Sequence, residues 1–348
     1  MNQRRRRMVG GLMIAVLLLS ACRGETLDGQ KKRITKPSER PNVAEKTEIY
    51  PLTGLPADEA GLHRRAVGVM VNNHSQARPQ SGLYKADIVY EALTEGRITR
   101  FLAIFQSQTP DVIGPVRSAR PYFIELNNGY GAIYVAHGWS PDAKKMLESG
   151  GTDYIQGLYH DGTWFKRVAF RKAPHNSYIP YKNIIKGAEE SGFSLTQTFA
   201  ALPFYKSDEE KNIPGEPAQK MTITYSNDYV VGYNYNSEDG LYYREVNGEP
   251  MRDRETNTPV TAANVFVVSA DHRFIDAYRR TIDLKSGGPA YLFQKGKWRA
   301  VTWKNVDGRL LPYDGDRPLK WVPGRTWIHI VESDPGLAHV VKIDGQKG

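Results

Sequence analysis

The chain has 348 residues, 47 Lys and Arg against 38 Asp and Glu, a formal net charge of +9 and one cysteine. Four arginines sit together at Arg4 to Arg7; without them 43 basic residues face 38 acidic ones, and from residue 49 onward the excess is about +3. That is not the domain-wide basic imbalance that nucleic-acid binding needs, so no direct nucleic-acid partner is expected. One cysteine also rules out an internal disulfide framework.

The N-terminal run "MNQRRRRMVGGLMIAVLLLSAC" has a basic start, then an apolar stretch from Met8 to about Leu19. This is shorter than the roughly 20 apolar residues of a membrane span and has the form of an export signal. It ends in Leu19-Ser20-Ala21-Cys22, which resembles a bacterial lipobox: residues 1–22 are expected to be a lipoprotein signal peptide and Cys22 the lipidation site. Two or three acyl chains of the palmitate class would give stable anchoring. The expected location is the cell membrane, lipid-anchored, on its extracytoplasmic face. Residues 23–48 lack aromatics and read as a disordered tether.

From residue 49 to about 210 the expectation is a mixed α/β domain. "RAVGVMVNN" (65–73) has the pattern of a buried strand, and "ADIVYEALTE" and "TRFLAIFQS" read as a strand pair joined by the turn "EGRI". Pro121 suits the first turn of a helix that Asn127-Asn128-Gly129 stops. "AIYVAHG" is a further strand. Ser140 as N-cap, Pro141 at the first position and Gly150 after the end define a helix over "SPDAKKMLES". Another helix is expected over residues 181–192.

Residues 211–348 change character. Short runs rich in β-branched and aromatic residues, such as "MTITYS", "NVFVVSA" and "TWIHIVE", are separated by Gly, Asn and Asp turns. They predict a smaller β-rich domain, with one or two helical turns in "DHRFIDAYRR". The fold class is therefore α+β.

One segment concentrates charge where a helix begins. In "IGPVRSARPY", Arg117, Ser118 and Arg120 precede the Pro121 helix, where free backbone N–H groups and the positive end of the helix dipole collect. This is a candidate anion site, with His137 and the His175-Asn176 pair as neighbours and Arg78 and Arg100 as secondary members. Arg117 and Arg120 are equally suited to pairing with Asp87, Glu91 or Glu95 and bracing the sheet. His74, His137, His160 and His175 have no metal-site spacing, and no metal is expected. Nucleophile elbows, phosphate-binding loops and dinucleotide fingerprints are absent. Asp271-His272 reads better as a turn than as an acid–base pair. The tryptophans and tyrosines of the second block are mostly sheet core, with a sugar-stacking surface as the alternative.

The segments "VMVNNHSQARPQSGLYKADIVYEALTEGRITRFLAIF", "IGPVRSARPY", "AHGWS" and "APHNSY" resemble the YerB-like family of bacterial lipoproteins, whose function is unknown. "NVFVV", "GPAYLFQKGKWRAVTWK" and "GRTWIHIV" extend the resemblance, which spans about residues 50–335. It implies an anchored envelope protein with a mixed N-terminal and a β C-terminal domain, and supplies no activity. The family pattern carries an acidic residue before Asn73; Asn72 stands there, which weakens a metal or general-base role. The family's link to a DNA helicase as partner conflicts with an export signal. A looser similarity of layout, strand pair then arginine loop then strand and helix, connects the chain to LytR-CpsA-Psr enzymes, without their Pro-Arg-Asp after the second strand.

The expected function is thus an envelope binding or accessory protein, tethered through Cys22, with a site for a phosphate-bearing polymer or lipid and no cofactor. An envelope enzyme of phosphoryl or glycosyl-phosphate transfer is the alternative. It requires an acid to hold Mg²⁺ or act as base, for which Asp87, Glu91 and Glu95 are nearest. A protein–protein adaptor using the β-rich block is the third reading.

Overall fold

The computed structural model describes residues 48–198 and 200–344. The signal segment, Cys22 and the tether up to residue 47 lie outside the described residues. The compact unit runs from Lys46 to Gly348 and holds its hydrophobic cores within itself.

In chain order, the first block supplies β1 (Val67–Asn72), β2 (Ile88–Leu93), β3 (Thr99–Phe105), α1 (Pro121–Asn128), β4 (Ile133–Ala136), α2 (Pro141–Glu148), β5 (Tyr154–Gln156), β6 (Ser177–Pro180) and α3 (Tyr181–Glu190). The second supplies β7 (Lys220–Ser226), β8 (Tyr229–Asn236), β9 (Leu241–Val246), β10 (Asn264–Ala270), β11 (Gly288–Gln294), β12 (Lys297–Val306), β13 (Arg309–Asp314), β14 (Thr326–Glu332) and β15 (Val341–Ile343). This is the mixed α+β content the sequence predicts. The helix ends fall where the cap residues put them. Pro121 opens α1, the Ser140 hydroxyl accepts from the Ala143 amide at 3.3 Å, and Gly150 and Gly192 take positive φ after α2 and α3.

The strands do not segregate by block. The main sheet runs β13-β12-β11-β10-β14-β2-β3-β1-β4-β5, and β2 pairs in parallel with β14 from Ile88 opposite Thr326 to Ala92 opposite Ile330. One continuous sheet therefore crosses from the first sequence block into the second. Its central strands β1, β2, β3, β4, β10 and β14 are buried on both sides, hence near-continuous apolar runs, whereas β12 at one end is largely half-exposed. Met70, Tyr90, Leu102, Tyr134, Phe266 and Ile328 face α1 and α2, where Phe123, Ile124, Ala143 and Leu147 meet them. Val69, Val89, Phe101, Val135, Val265 and Trp327 face the opposite way, onto α3 and a second sheet of β9, β8, β7 and β15. Trp303, Trp321 and Trp327 are core residues.

The segment 271–280 corrects one expectation. It is a hairpin, not a helix: His272–Phe274 pair antiparallel with Arg280–Ile282. The Asp276 carboxylate accepts from the Tyr278 and Arg279 amides and fixes the turn, the local competition by which Asp disfavours helix interiors.

Candidate functional site

Strand direction selects one edge of the main sheet. β1 is antiparallel to β3, and β3 to β2, so β1 and β2 run the same way; β4, β5, β14 and β10 join them through parallel pairings. The carboxyl ends of all these strands share an edge, the place where sheets of this kind bind ligands. There lie Asn72 ending β1 with Asn73 and His74 just beyond it, Glu95 after β2, His137 after β4, Gln156 ending β5 and Glu332 ending β14. The arginine loop 114–120 crosses this edge: the Arg117 amide donates to the Met70 carbonyl and the Ala119 amide to the Gly138 carbonyl.

The two loop arginines have different fates. Arg120 forms an ion pair with Glu95 and donates to the Ala119 carbonyl at 2.6 Å. Arg100 pairs with the other Glu95 oxygen at 2.6 Å and donates to the Ser118 carbonyl at 2.9 Å. Glu95 thus serves two guanidiniums. Arg117 has no carboxylate or hydrogen-bond partner for its side chain among the described residues, and its Nε is buried and unpaired. Burial, with Arg100 close by, pulls Arg117 down to about 10, so it remains a cation at neutral pH. Three guanidiniums with one carboxylate leave the cluster positive.

Imidazoles surround it. His175 Nδ1 lies 2.8 Å from the buried Asn72 amide nitrogen, so Nδ1 accepts and Nε2 carries the proton. His74 stacks on His175, ring centroids 4.6 Å apart. His137 Nε2 faces the Arg167 guanidinium at 3.0 Å and must accept there; Nδ1–H then donates to Ser177 Oγ at 2.7 Å. Burial first, then neighbouring basic side chains, hold both below the usual histidine value: His74, Arg117 and Arg171 act on His175, and Arg167 and Arg117 on His137. Both rings are therefore neutral hydrogen-bonding groups at pH 7. Asn176 Oδ1 accepts from Arg167, which also pairs with Asp161. Ser118 donates to the His137 carbonyl at 3.3 Å.

Arg117, Ser118, His137, His175 and Asn176 are thus brought together. Arg100 and Arg120 adjoin them but are committed to Glu95. Arg78 stands elsewhere: it donates to Asn73 Oδ1 and the Asn73 carbonyl, and its guanidinium lies 4.5 Å from the Tyr229 ring centre, toward the second sheet. Cys22 lies outside the described residues. His160 stacks on Trp164 at 3.5 Å, and Asp271 pairs with Arg273. Among the described residues, no group of three His, Cys, Asp or Glu is placed to hold a metal ion. The sequence does not single out Arg167, Arg171 and Ser177, and it discounts Asn72, because their contacts with His137, His175 and the 76–79 loop join segments far apart in the chain.

A second polar cluster lies on the opposite face of the sheet, fully buried. Glu91 Oε2 pairs with Arg244 at 2.7 Å, and Oε1 accepts from Thr99 at 2.8 Å and Tyr229 at 2.5 Å. Burial opposes the Glu91 charge, but Arg244 and these hydrogen bonds outweigh it and hold the carboxyl below its ordinary value. His329 sits between Tyr225 (3.0 Å from Nδ1) and Tyr233 (2.8 Å from Nε2). Asp87 is also occupied, accepting from the Gln106 and Ser107 amides and the Ser107 hydroxyl.

Comparison with known proteins follows the same layout. Residues 52–194 match the family described as "Protein of unknown function (DUF3048) N-terminal domain", and residues 221–328 match its C-terminal domain. The chain is 49% identical over 309 residues to "Putative lipoprotein YerB" of Bacillus subtilis (strain 168), covering 88% of this chain and 92% of the relative. The crystal structure of the YerB protein from Bacillus subtilis superposes with a TM-score of 0.80 at 48% identity, covering 85% of this chain and 99% of that one.

Proposed function

We propose, for a chain that belongs to the DUF3048 family of YerB-like proteins, the role of a membrane-anchored envelope binding protein that holds a phosphate-bearing ligand at Arg117. The relative's name points to a lipoprotein, and no helix among the described residues is long and apolar enough to cross a membrane. Lipid attachment at Cys22, placing the fold on the extracytoplasmic side, supplies the anchor in this reading. Palmitate labelling of the full chain that disappears in Cys22→Ser is the expected result; labelling that persists sinks the tether.

One observation carries the anion reading: Arg117 is a largely buried cation with an unpaired Nε and, among the described residues, no carboxylate paired with it. Burying an unpaired charge is costly, and an anion at the site would offset that cost. Neutral His175, whose Nε2–H is a donor, adds a hydrogen bond suited to a phosphate oxygen. The transferase alternative finds less support, since Asp87, Glu91 and Glu95 are each committed to internal partners. The ligand in this reading is a polyprenyl pyrophosphate or an anionic wall polymer.

The test is binding of pyrophosphate and undecaprenyl pyrophosphate to residues 46–348, wild type against Arg117→Gln. Binding is expected to fall at least tenfold while the melting temperature stays the same or rises, because a buried unpaired cation has been removed. Equal binding by both proteins would sink the assignment to Arg117.

A further inference from the structure

Two cavities on the same edge of the sheet, of about 450 and 270 Å³, share Arg97, Ser226 and Asp228 in their walls and so form one groove. The smaller one is also lined by His74, the ring stacked on His175, which brings the groove to the Arg117 cluster. We infer that this groove is the sugar-binding half of one extended site, so that the ligand is a glycosyl phosphate: phosphate at Arg117, sugar hydroxyls along the groove. The inference rests on the anion reading above and names the ligand class.

The size and the lining both favour it. The groove falls in the range of about 300–1,000 Å³ typical of small-molecule sites, far more than a phosphate group fills. Its walls carry hydroxyls, amides and carboxylates, among them Ser226, Asn227, Asp228 and Glu332. The carboxylates would repel a second phosphate but accept hydrogen bonds from hydroxyls. Arg97 is already paired with Glu332 at 2.8 Å, and Arg78, which also lines the smaller cavity, is held by the Asn73 side chain and carbonyl and lies over the Tyr229 ring. A nucleobase is disfavoured because the tyrosines here offer no free face: Tyr225 stacks on Tyr229, and Arg78 lies over the Tyr229 ring. Phosphate and sugar recognition are thus separated along one edge.

Calorimetry of residues 46–348 with inorganic phosphate, glucose 1-phosphate, N-acetylglucosamine 1-phosphate and AMP tests this. At least one sugar phosphate is expected to bind tenfold or more tightly than phosphate. Asp228→Asn and Ser226→Ala, checked for unchanged melting, should remove that gain and leave phosphate binding intact; Arg117→Gln should abolish both. Sugar phosphates no tighter than phosphate, with phosphate still dependent on Arg117, overturn the groove and leave the anion reading standing. AMP binding as tightly as the sugar phosphates also overturns it. No anion binding by the wild type overturns the anion reading and this inference with it.

Discussion

At the scale of single residues, the buried ionisable groups make the protein's stability depend on pH in opposing ways. Burial pushes Asp87 up to about 6, against its hydrogen bonds from Ser107 and Gln106. A carboxyl that holds its proton more tightly when folded contributes stability that is fully present below about pH 4 and lost as pH rises through 6. His329 behaves oppositely. Burial lowers it to about 4, so its contribution is present above about pH 6.5 and lost as pH falls toward 4. Comparison with a variant isolates the first effect. In Asp87→Asn, the amide oxygen can accept from both backbone amides and its NH₂ can meet the Ser107 hydroxyl. Relative to wild type, this variant should gain on the order of 3 kcal/mol between pH 4 and 7, from about 1.4 kcal/mol per pKa unit. Urea unfolding at the two pH values checks it, and a pH-independent difference between the proteins would refute the assignment.

At the scale of elements, what could be read beforehand was whatever local chemistry decides. The starts of α1 and α2 follow from Pro121 and Ser140, and the β2–β3 hairpin from two apolar runs around a short turn. These are contests settled within a few residues. The 271–280 hairpin was misread because Phe274, Ile275, Tyr278 and the arginines tolerate either state; pairing with Arg280–Ile282 and the Asp276 turn settle it. The candidate site divides the same way. Arg117, Ser118 and His137 were legible because they flank predictable elements. That Arg120 rather than Arg117 would take Glu95 was not, since it depends on where the β2–β3 turn places one carboxylate in space. Arg78 followed the same logic: its sequence position near β1 says nothing about which face of the sheet it reaches.

At the scale of the whole molecule, the two sequence blocks are bound by more than adjacency. β2 lies between β3 and β14, so removing the second block leaves β2 an unpaired edge with a long apolar run. It also leaves Glu91 without Arg244 and His329, which come from the second block. Breaking a fully buried ion pair by removing one partner costs about 3–5 kcal/mol, a large share of the roughly 5–15 kcal/mol by which a domain is stable. The lost burial of Val89 and Phe101 against Trp327 and the second sheet adds to that cost. Residues 48–210 expressed alone are therefore expected not to fold, although a family domain profile ends within them. The intact 46–348 unit should unfold in one transition, with amides of β2 and β14 protected to the same degree in hydrogen exchange. A sigmoidal melt and native-like protection in the isolated 48–210 fragment would show instead that the shared sheet is an interface between independent domains. The Glu91–Arg244 pair would then be a contact that orients them rather than part of a common core.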